Sequence, residues 1–246
     1  MLLYKVKKNK HFIINNEVWA LIPARIGSKS IKKKNLQKIS GISLLEHAIR
    51  TANSCKKIKR IFVSTDSKLI KKIGINNGAE VDGLRERKYS KDKSSDFDVF
   101  KDFFKKRKNK SLPEYFVYLR PTSPLRNYKI IDQAIAHFKK LKNYDSMVSV
   151  HEMSETAYKK FIIKNNFLIP LFDNLSLDDA NKPRQKFIKT YSGNGYFDII
   201  KTKNIYKKKY LGDKCFPFIT DKVVDINNYF DLKFTRYLKN FFKINL

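Results

Sequence analysis

Short apolar runs of strand length alternate with segments of helical period through the first 150 residues of the chain. The runs are Val18 to Ala24, Ile61 to Thr65, Ala79 to Val81, Tyr115 to Leu119 and Ser146 to Val150, each bounded by polar or turn-forming residues as strands are. Between the first two, Leu45, Ala48, Ile49 and Ala52 recur at the spacing of one helix face, behind Ser43-Leu44-Leu45-Glu46, which has the capping-box spacing. Further helices are predicted over Lys68 to Asn76, stopped near Gly78, from Ser94 to Lys106, and over Lys129 to Lys140, which buries Ile131, Ala134, Ile135 and Phe138. In the third helix Phe97, Phe100, Phe103 and Phe104 form a stripe that reads as core packing rather than a cofactor site. Strands alternating with helices predict an α/β fold, a mainly parallel central sheet flanked by helices.

After Val150 the pattern changes. His151 to Ile188 carries short apolar pieces, Pro170 and Pro183, and few helix or strand signals. It reads as an insertion, of the kind that serves as a lid or an oligomer contact. Regular structure resumes with strands at Gly195 to Ile200, Phe216 to Ile219 and Val223 to Ile226, and a helix from Asn228 to Phe242. The expected organisation is one domain, 1–246, with an inserted segment at 151–190.

The hydrophobic fraction of 42%, with 19 Phe and 13 Tyr, is enough for a core and excludes disorder as the default. A formal net charge of +30 raises nucleic acid or an anionic membrane as partners. Only ten of the 53 basic residues are Arg, however, so planar bidentate recognition is scarce. The lysines are spread along the chain, and most read as solvated surface. Cys55 and Cys215 stand alone, without a CxxC motif, which suits a reducing compartment and indicates core or surface thiols. Met1 to Lys10 has no apolar export region, and no segment reaches the ~18 consecutive apolar residues of a membrane span. A cytoplasmic protein without a membrane partner is expected.

The chemistry concentrates where strands end. Ile22-Pro23-Ala24-Arg25-Ile26-Gly27-Ser28-Lys29, continuing to Lys34-Asn35-Leu36, leaves the end of the first strand as a long basic loop. Ligands of open α/β sheets bind at the carboxyl ends of strands. Arg25, Lys29 and Lys34 bring cations there, Ser28 a hydroxyl, and Gly27 a backbone open to close approach, which together suit a polyphosphate. Lys32 and Lys33 read as solvated. A second segment, Arg120-Pro121-Thr122-Ser123-Pro124-Leu125-Arg126, leaves the strand ending at Leu119. Its prolines stiffen the backbone while Thr122 and Ser123 present hydroxyls, which suits either substrate orientation or a plain turn.

Together these segments resemble the acylneuraminate cytidylyltransferase family, whose pattern is an IPARxGSK…KNL loop, a VSTD strand end, an LRP segment, LQPTSPLR, a PRQ stretch, an NGxxY-like turn and a final DID. This chain shows Ile22 to Lys29 with Lys34-Asn35-Leu36, Val63-Ser64-Thr65-Asp66, Leu84-Arg85, Arg120 to Arg126, Pro183-Arg184-Gln185, Asn194-Gly195-Tyr196 and Asp225-Ile226-Asn227, in that order. The resemblance implies a Rossmann-like nucleotidyltransferase fold and a homodimer built partly through the inserted segment. It also implies transfer of CMP from CTP to the anomeric hydroxyl of a nonulosonic acid, sialic or legionaminic in type, with release of pyrophosphate. The product would serve surface glycan synthesis, lipopolysaccharide included.

By the same resemblance Arg25, Lys29 and Asp225 are catalytic. Arg25, Gly27, Ser28, Lys29, Lys34, Asn35, Arg85, Ser94 and Ser95 would face the nucleotide. Arg120, Thr122, Ser123, Lys159, Arg184, Gln185 and Asn194 would face the acidic keto-sugar, although Lys159 reads equally well as a surface lysine. Asp225 and Asn227 would hold Mg²⁺.

Two residues depart from the pattern. Arg120 stands where the sialic acid enzymes carry Gln, and it cannot accept a hydrogen bond. Asn227 stands where a second carboxylate is usual, and it lacks the charge that hard Mg²⁺ prefers. Asp231 reads as a first-turn helix acid and Asp66 as a helix cap, each with a site role as the alternative. His11, His47, His137 and His151 are scattered, which gives no support to a zinc site or a His-based triad. The competing readings are an enzyme like CMP-Kdo synthetase and, from another class, a basic nucleic-acid-binding protein.

Overall fold

The computed structural model describes residues 3–6 and 11–241, and its first strand, β1 (Leu3–Val6), lies antiparallel on the start of β2 (His11–Pro23). β2 is longer than the run Val18 to Ala24 suggests, because its pairing register shifts between Ile14 and Val18, where Asn16 adopts a positive φ. Such a bulge breaks the alternation by which a strand is recognised. A small hairpin, β3 (Lys38–Ile39) and β4 (Ile42–Ser43), leads into α1 (Leu44–Ser54), whose N-terminus carries the complete capping box of Ser43 and Glu46. Then come β5 (Arg60–Ser64), α2 (Lys68–Asn76), α3 (Asp96–Lys106), β6 (Ser111–Tyr118), α4 (Tyr128–Lys140) and β7 (Ser146–Glu152).

The segment 151–190 holds more regular structure than its sequence suggests. It contains a hairpin, β8 (Phe161–Lys164) with β9 (Phe167–Pro170), and the short helix α5 (Leu177–Asn181). The chain closes with β10 (Tyr191–Lys201), α6 (Thr202–Tyr206), β11 (Cys215–Ile219) and α7 (Tyr229–Phe241). Residue 242, the predicted end of α7, lies outside the described residues.

The main sheet runs β1-β2-β6-β10-β7-β11, with β5 on the same edge of β2 as β1. β2 pairs in parallel with β5 and β6, and β7 with β11, while β10 is antiparallel to both β6 and β7. The sheet is therefore mainly parallel, as expected. Along β2, Val18, Ala20 and Ile22 point to a core shared with Leu45, Ala48 and Ile49 of α1 and Ile131, Ile135 and Phe138 of α4. Trp19 and Leu21 point to the opposite face, where Phe100, Phe103 and Phe104 of α3 meet Phe62, Phe116 and Tyr118. The Phe stripe of α3 is core, and a strand covered on both faces reads as the continuous apolar run seen here.

Two expected strands are not built as such. Ala79 to Val81 contributes a single bridge, Phe62 to Glu80, at the edge beside β5. Val223 to Ile226 stays outside the sheet, its backbone engaged elsewhere: the Ile226 N–H donates to the Thr122 carbonyl at 2.8 Å. An extended apolar stretch satisfies its backbone with whatever partner the fold brings near it. Here that partner is the loop after β6.

Candidate active site

β2, β5 and β6 end side by side, with Leu21 opposite Tyr118 and Pro23 opposite Ser64. After β2 the chain first adds β5 on one side and then β6 on the other, so β2 and β6 flank a point where the strand order reverses. Such points form ligand crevices in open α/β sheets. A cleft of ≈ 240 Å³ opens there, lined among others by Arg25, Gly27, Ser28, Lys34, Asn35 and Arg85 on one side and Arg120, Pro121 and Thr122 on the other.

The basic loop is held in place by its surroundings. Asp66 accepts from the Ile26 N–H at 2.8 Å, so it anchors this loop, and the cap of α2 is Ser67 instead. Asn35 donates from its amide to the Arg25 carbonyl at 2.8 Å. Ile31 is fully buried with Ile39, Leu44, Ile226 and Leu232. Lys34 donates to the carbonyls of Ile226 and Asn227 at 3.0 and 3.1 Å, joining the loop to the segment that carries Asp225. Burial pushes the Lys34 pKa down against the opposing pull of Asp225 and Asp231. A β-carbon on Gly27 would meet nothing within 4 Å, so its backbone borders open space.

The cations of the cleft differ in their partners. Arg25 pairs with Asp92 at 2.7 Å, and Lys29, 82% exposed, reaches the same carboxylate at 3.3 Å. Arg85 is 5% exposed, donates from Nε to the Ser90 hydroxyl at 3.1 Å, and forms no ion pair among the described residues. Burial lowers its pKa. A buried guanidinium without a carboxylate is a ready partner for an anion. Ser94 lines the cleft, whereas Ser95 is spent as the N-cap of α3.

On the opposite wall Arg120 donates to both Asp96, at 2.6 Å, and Asp198, at 2.8 Å. Tyr118 donates to Asp96 and Tyr210 to Asp198, each at 2.8 Å. Burial opposes the charge on Arg120, yet Asp198, Tyr210 and Asp96 drive its pKa upward. Arg120 is thus a fixed cation in a network with excess negative charge. Thr122 lines the cleft, while Ser123 is buried with its hydroxyl 3.4 Å from Asp225.

Asn194 is buried, its amide bonded to Thr220 and to the Tyr196 N–H, so it shapes the turn and does not face the cleft. Lys159 donates to the carbonyls of Asn181 and Lys182 and Arg184 to that of Ser154. Arg184 and Gln185 line a separate hollow with Glu152, Met153 and Thr156. These three do not join the cleft within one chain.

Asp225 carries one oxygen near Ser123 and the other 3.2 Å from the Asn227 amide. Asp231 accepts from the N–H groups of Asn227 and Asn228, which settles it as a first-turn helix acid. Among the described residues no group of three or more His, Cys, Asp or Glu could hold a metal ion. One carboxylate and one amide, which turns its N–H rather than its oxygen to Asp225, fit only Mg²⁺ that keeps waters and phosphate oxygens in its shell. They do not fit a closed protein cage.

Sequence reasoning missed Asp92, Asp96, Asp198, Tyr118 and Tyr210. Asp198 had a legible signal, since an acid inside the apolar run Gly195 to Ile200 must find a partner when buried. Asp92 had none, because Lys91-Asp92-Lys93 reads as one more solvated charge run.

No described helix is long and apolar enough to cross a membrane. The chain is 26% identical over 222 residues to N-acylneuraminate cytidylyltransferase of Escherichia coli O18:K1:H7, an alignment that covers 89% of this chain and 51% of that protein. The chain therefore spans about half the length of that relative. It is 28% identical to CMP-N,N'-diacetyllegionaminic acid synthase of Legionella pneumophila, covering 90% of this chain and 95% of that one. A solved CMP:2-keto-3-deoxy-manno-octonic acid synthetase complexed with CTP superposes with a TM-score of 0.69 at 14% identity, over 91% of this chain and 98% of that one, a likeness of fold. The fold is thus the Rossmann-like α/β arrangement of nucleotidyltransferases. The cytidylyltransferase family pattern matches residues 19–212, which include the basic loop, Arg85 and the whole Arg120 wall, and the chain belongs to that family.

Proposed function

We propose that this chain transfers CMP from CTP to the anomeric hydroxyl of a nonulosonic acid, sialic or legionaminic in type, releasing pyrophosphate. The observation that carries the reading is the convergence of Arg25, Lys34 and Arg85 in one cleft at the ends of β2 and β6. Similarity to the Legionella synthase along nearly its whole length supports a legionaminic-type acceptor.

The anomeric hydroxyl oxygen forms a bond to the α-phosphorus as the bond to the β-phosphate oxygen breaks; pyrophosphate leaves with that electron pair and the hydroxyl proton passes to water. Arg25, Lys34 and Arg85 would neutralise the phosphate oxygens, and the Arg120 wall would orient the acceptor. Mg²⁺ held by Asp225, with the Asn227 oxygen as a weaker ligand, would supply further charge neutralisation on the triphosphate. Ser28, Lys29, Asn35 and Ser94 complete the nucleotide side of this reading.

A homodimer is part of the proposal. The β8–β9 hairpin exposes Ile163 at 78% and Phe167 at 72%. Apolar side chains exposed together mark an interaction surface. A second subunit docked there would bring Lys159, Arg184 and Gln185 toward a neighbouring cleft. We assign the chain to one unit, 1–246, working in the cytoplasm and feeding surface glycan synthesis.

Pyrophosphate release from CTP and Mg²⁺ with N-acetylneuraminic, legionaminic and Kdo acceptors tests the reading. Turnover of a nine-carbon acid, abolished in Arg25→Ala with the fold retained, is expected. Turnover of Kdo alone would move the enzyme to that class. No turnover together with tight, steeply salt-dependent nucleic-acid binding would sink the enzyme reading.

A further inference from the structure

Arg126 ends the second motif, yet it does not line the cleft described above. Its side chain is 4% exposed, and every hydrogen bond it makes goes to main-chain carbonyls. Nε donates to Tyr196 at 2.5 Å, and Nη2 donates both to Gly195, at 2.9 Å, and to Arg120. Nη1 is buried with no partner among the described residues. Among the described residues no carboxylate pairs with the group. Burial pushes its pKa down to about 10, which leaves it cationic at neutral pH. Burying a guanidinium without a counter-ion is unfavourable, and an aliphatic side chain would fill such a place more cheaply. Planar donors that grip several carbonyls at once are what an aliphatic side chain, or a lysine, does not provide.

The three carbonyls belong to two separate parts of the site. Arg120 is the fixed cation of the acceptor wall. Gly195 has φ +68°, and a β-carbon there would lie 3.1 Å from the Ser123 hydroxyl and 3.6 Å from the carboxyl carbon of Asp225. The Asp225 carboxyl therefore lies beside Gly195, within contact of any side chain placed there. The Tyr196 hydroxyl contacts the backbone of Asn127, next to Arg126, which closes the same unit from behind. None of the Arg126 hydrogen bonds reaches the basic loop of residues 24–37.

We propose that Arg126 is a positioning residue: by clamping the carbonyls of Arg120, Gly195 and Tyr196, it sets the spacing between the acceptor wall and Asp225. The inference rests on the cytidylyltransferase reading. It separates two quantities that general destabilisation would move together, namely nucleotide affinity and acceptor chemistry.

The test uses the full chain with Arg126→Lys and Arg126→Ala. CTP affinity is measured by calorimetry without acceptor, turnover by pyrophosphate release, and folding by circular dichroism and thermal melting. Both variants should bind CTP within about threefold of the parent. The acceptor kcat/KM should fall by about 100-fold in Arg126→Ala, the scale of a misplacement near 1 Å. Added methylguanidinium should restore part of that loss. Should Arg126→Ala fail to fold, Arg126→Lys carries the test. A folded variant with acceptor kcat/KM near the parent value overturns the inference, as does an equal loss of CTP affinity and acceptor kcat/KM. A parent protein that turns over no acceptor defeats the cytidylyltransferase reading and this inference with it, whereas an active parent beside an unaffected Arg126→Lys defeats this inference alone.

Discussion

The carboxylate of Asp92 accepts a 2.7 Å hydrogen bond from Nη1 of Arg25. Arg25 is a cation that the cytidylyltransferase reading sets against the triphosphate, and Asp92, 41% exposed at its side chain, sits at the rim of the same cleft. Hydrogen bonds from Arg25 and Lys29 hold the Asp92 pKa below the usual carboxylate range, so it stays ionised. Exposed ion pairs of this kind are weak in water. On that reading a triphosphate, offering several anionic oxygens at once, would displace the one carboxylate.

Asp92→Asn should therefore tighten CTP binding by about two- to fivefold, since a competitor for Arg25 and Lys29 is removed. Calorimetric titration with CTP is the check. Weaker binding in the variant would show that Asp92 organises the loop for the nucleotide rather than competing with it.

On the cytidylyltransferase reading Lys34 should set an alkaline limit. Its pKa is lowered by burial, so its charge is lost, as pH rises, below the usual lysine value. A phosphate needs the charged form, hence kcat/KM for CTP should decline on the alkaline side as Lys34 titrates in the free enzyme. Arg remains protonated throughout, so Lys34→Arg should move that limb to higher pH. The pH profile of kcat/KM in the two proteins decides the matter, and coincident limbs would remove Lys34 from the nucleotide site.

The metal prediction turns on Asn227. With one carboxylate the site should hold divalent ions poorly without nucleotide, and Asn227→Asp should lower the Mg²⁺ concentration for half-maximal turnover by about tenfold. Binding of Mn²⁺ to the nucleotide-free protein, followed by electron paramagnetic resonance, gives a readout independent of turnover. Equal Mn²⁺ affinity in parent and variant would count against position 227 as a ligand.

The hairpin makes a separate prediction. Placing Glu at both Ile163 and Phe167 should convert a dimer to a monomer in light scattering while leaving the melting of the main sheet unchanged, because both side chains are exposed in the single chain. A variant that keeps the parent's mass would move the dimer contact elsewhere.

The strand and helix alternation before residue 150 was legible because each element carries its own period: Ile131, Ala134, Ile135 and Phe138 form one helix face, and Val18 to Ile22 an apolar run. The basic loop and the Arg120 segment were legible too, since unusual residue types at strand ends stand out from a lysine-rich background. Less could be read from 223–226, where an apolar stretch carries no sign of which backbone it will bond. The β8–β9 hairpin was hidden for a related reason. Its Ile and Phe side chains are exposed in the single chain, so no core pattern accompanies them.

What the sequence by itself determined is the set of local periods, the Ser43 capping box, and the chemical types placed after β2 and β6. Only the tertiary structure decided which of those types meet. Arg25 and Asp92, Arg120 and Asp198, or Lys34 and the Ile226 carbonyl are separated by 67, 78 and 192 residues, and their pairing depends on strand order and loop path. The same holds for Arg126, whose residue type was visible in the motif. Its grip on Gly195 and Arg120 exists because β6 and β10 lie side by side in the sheet.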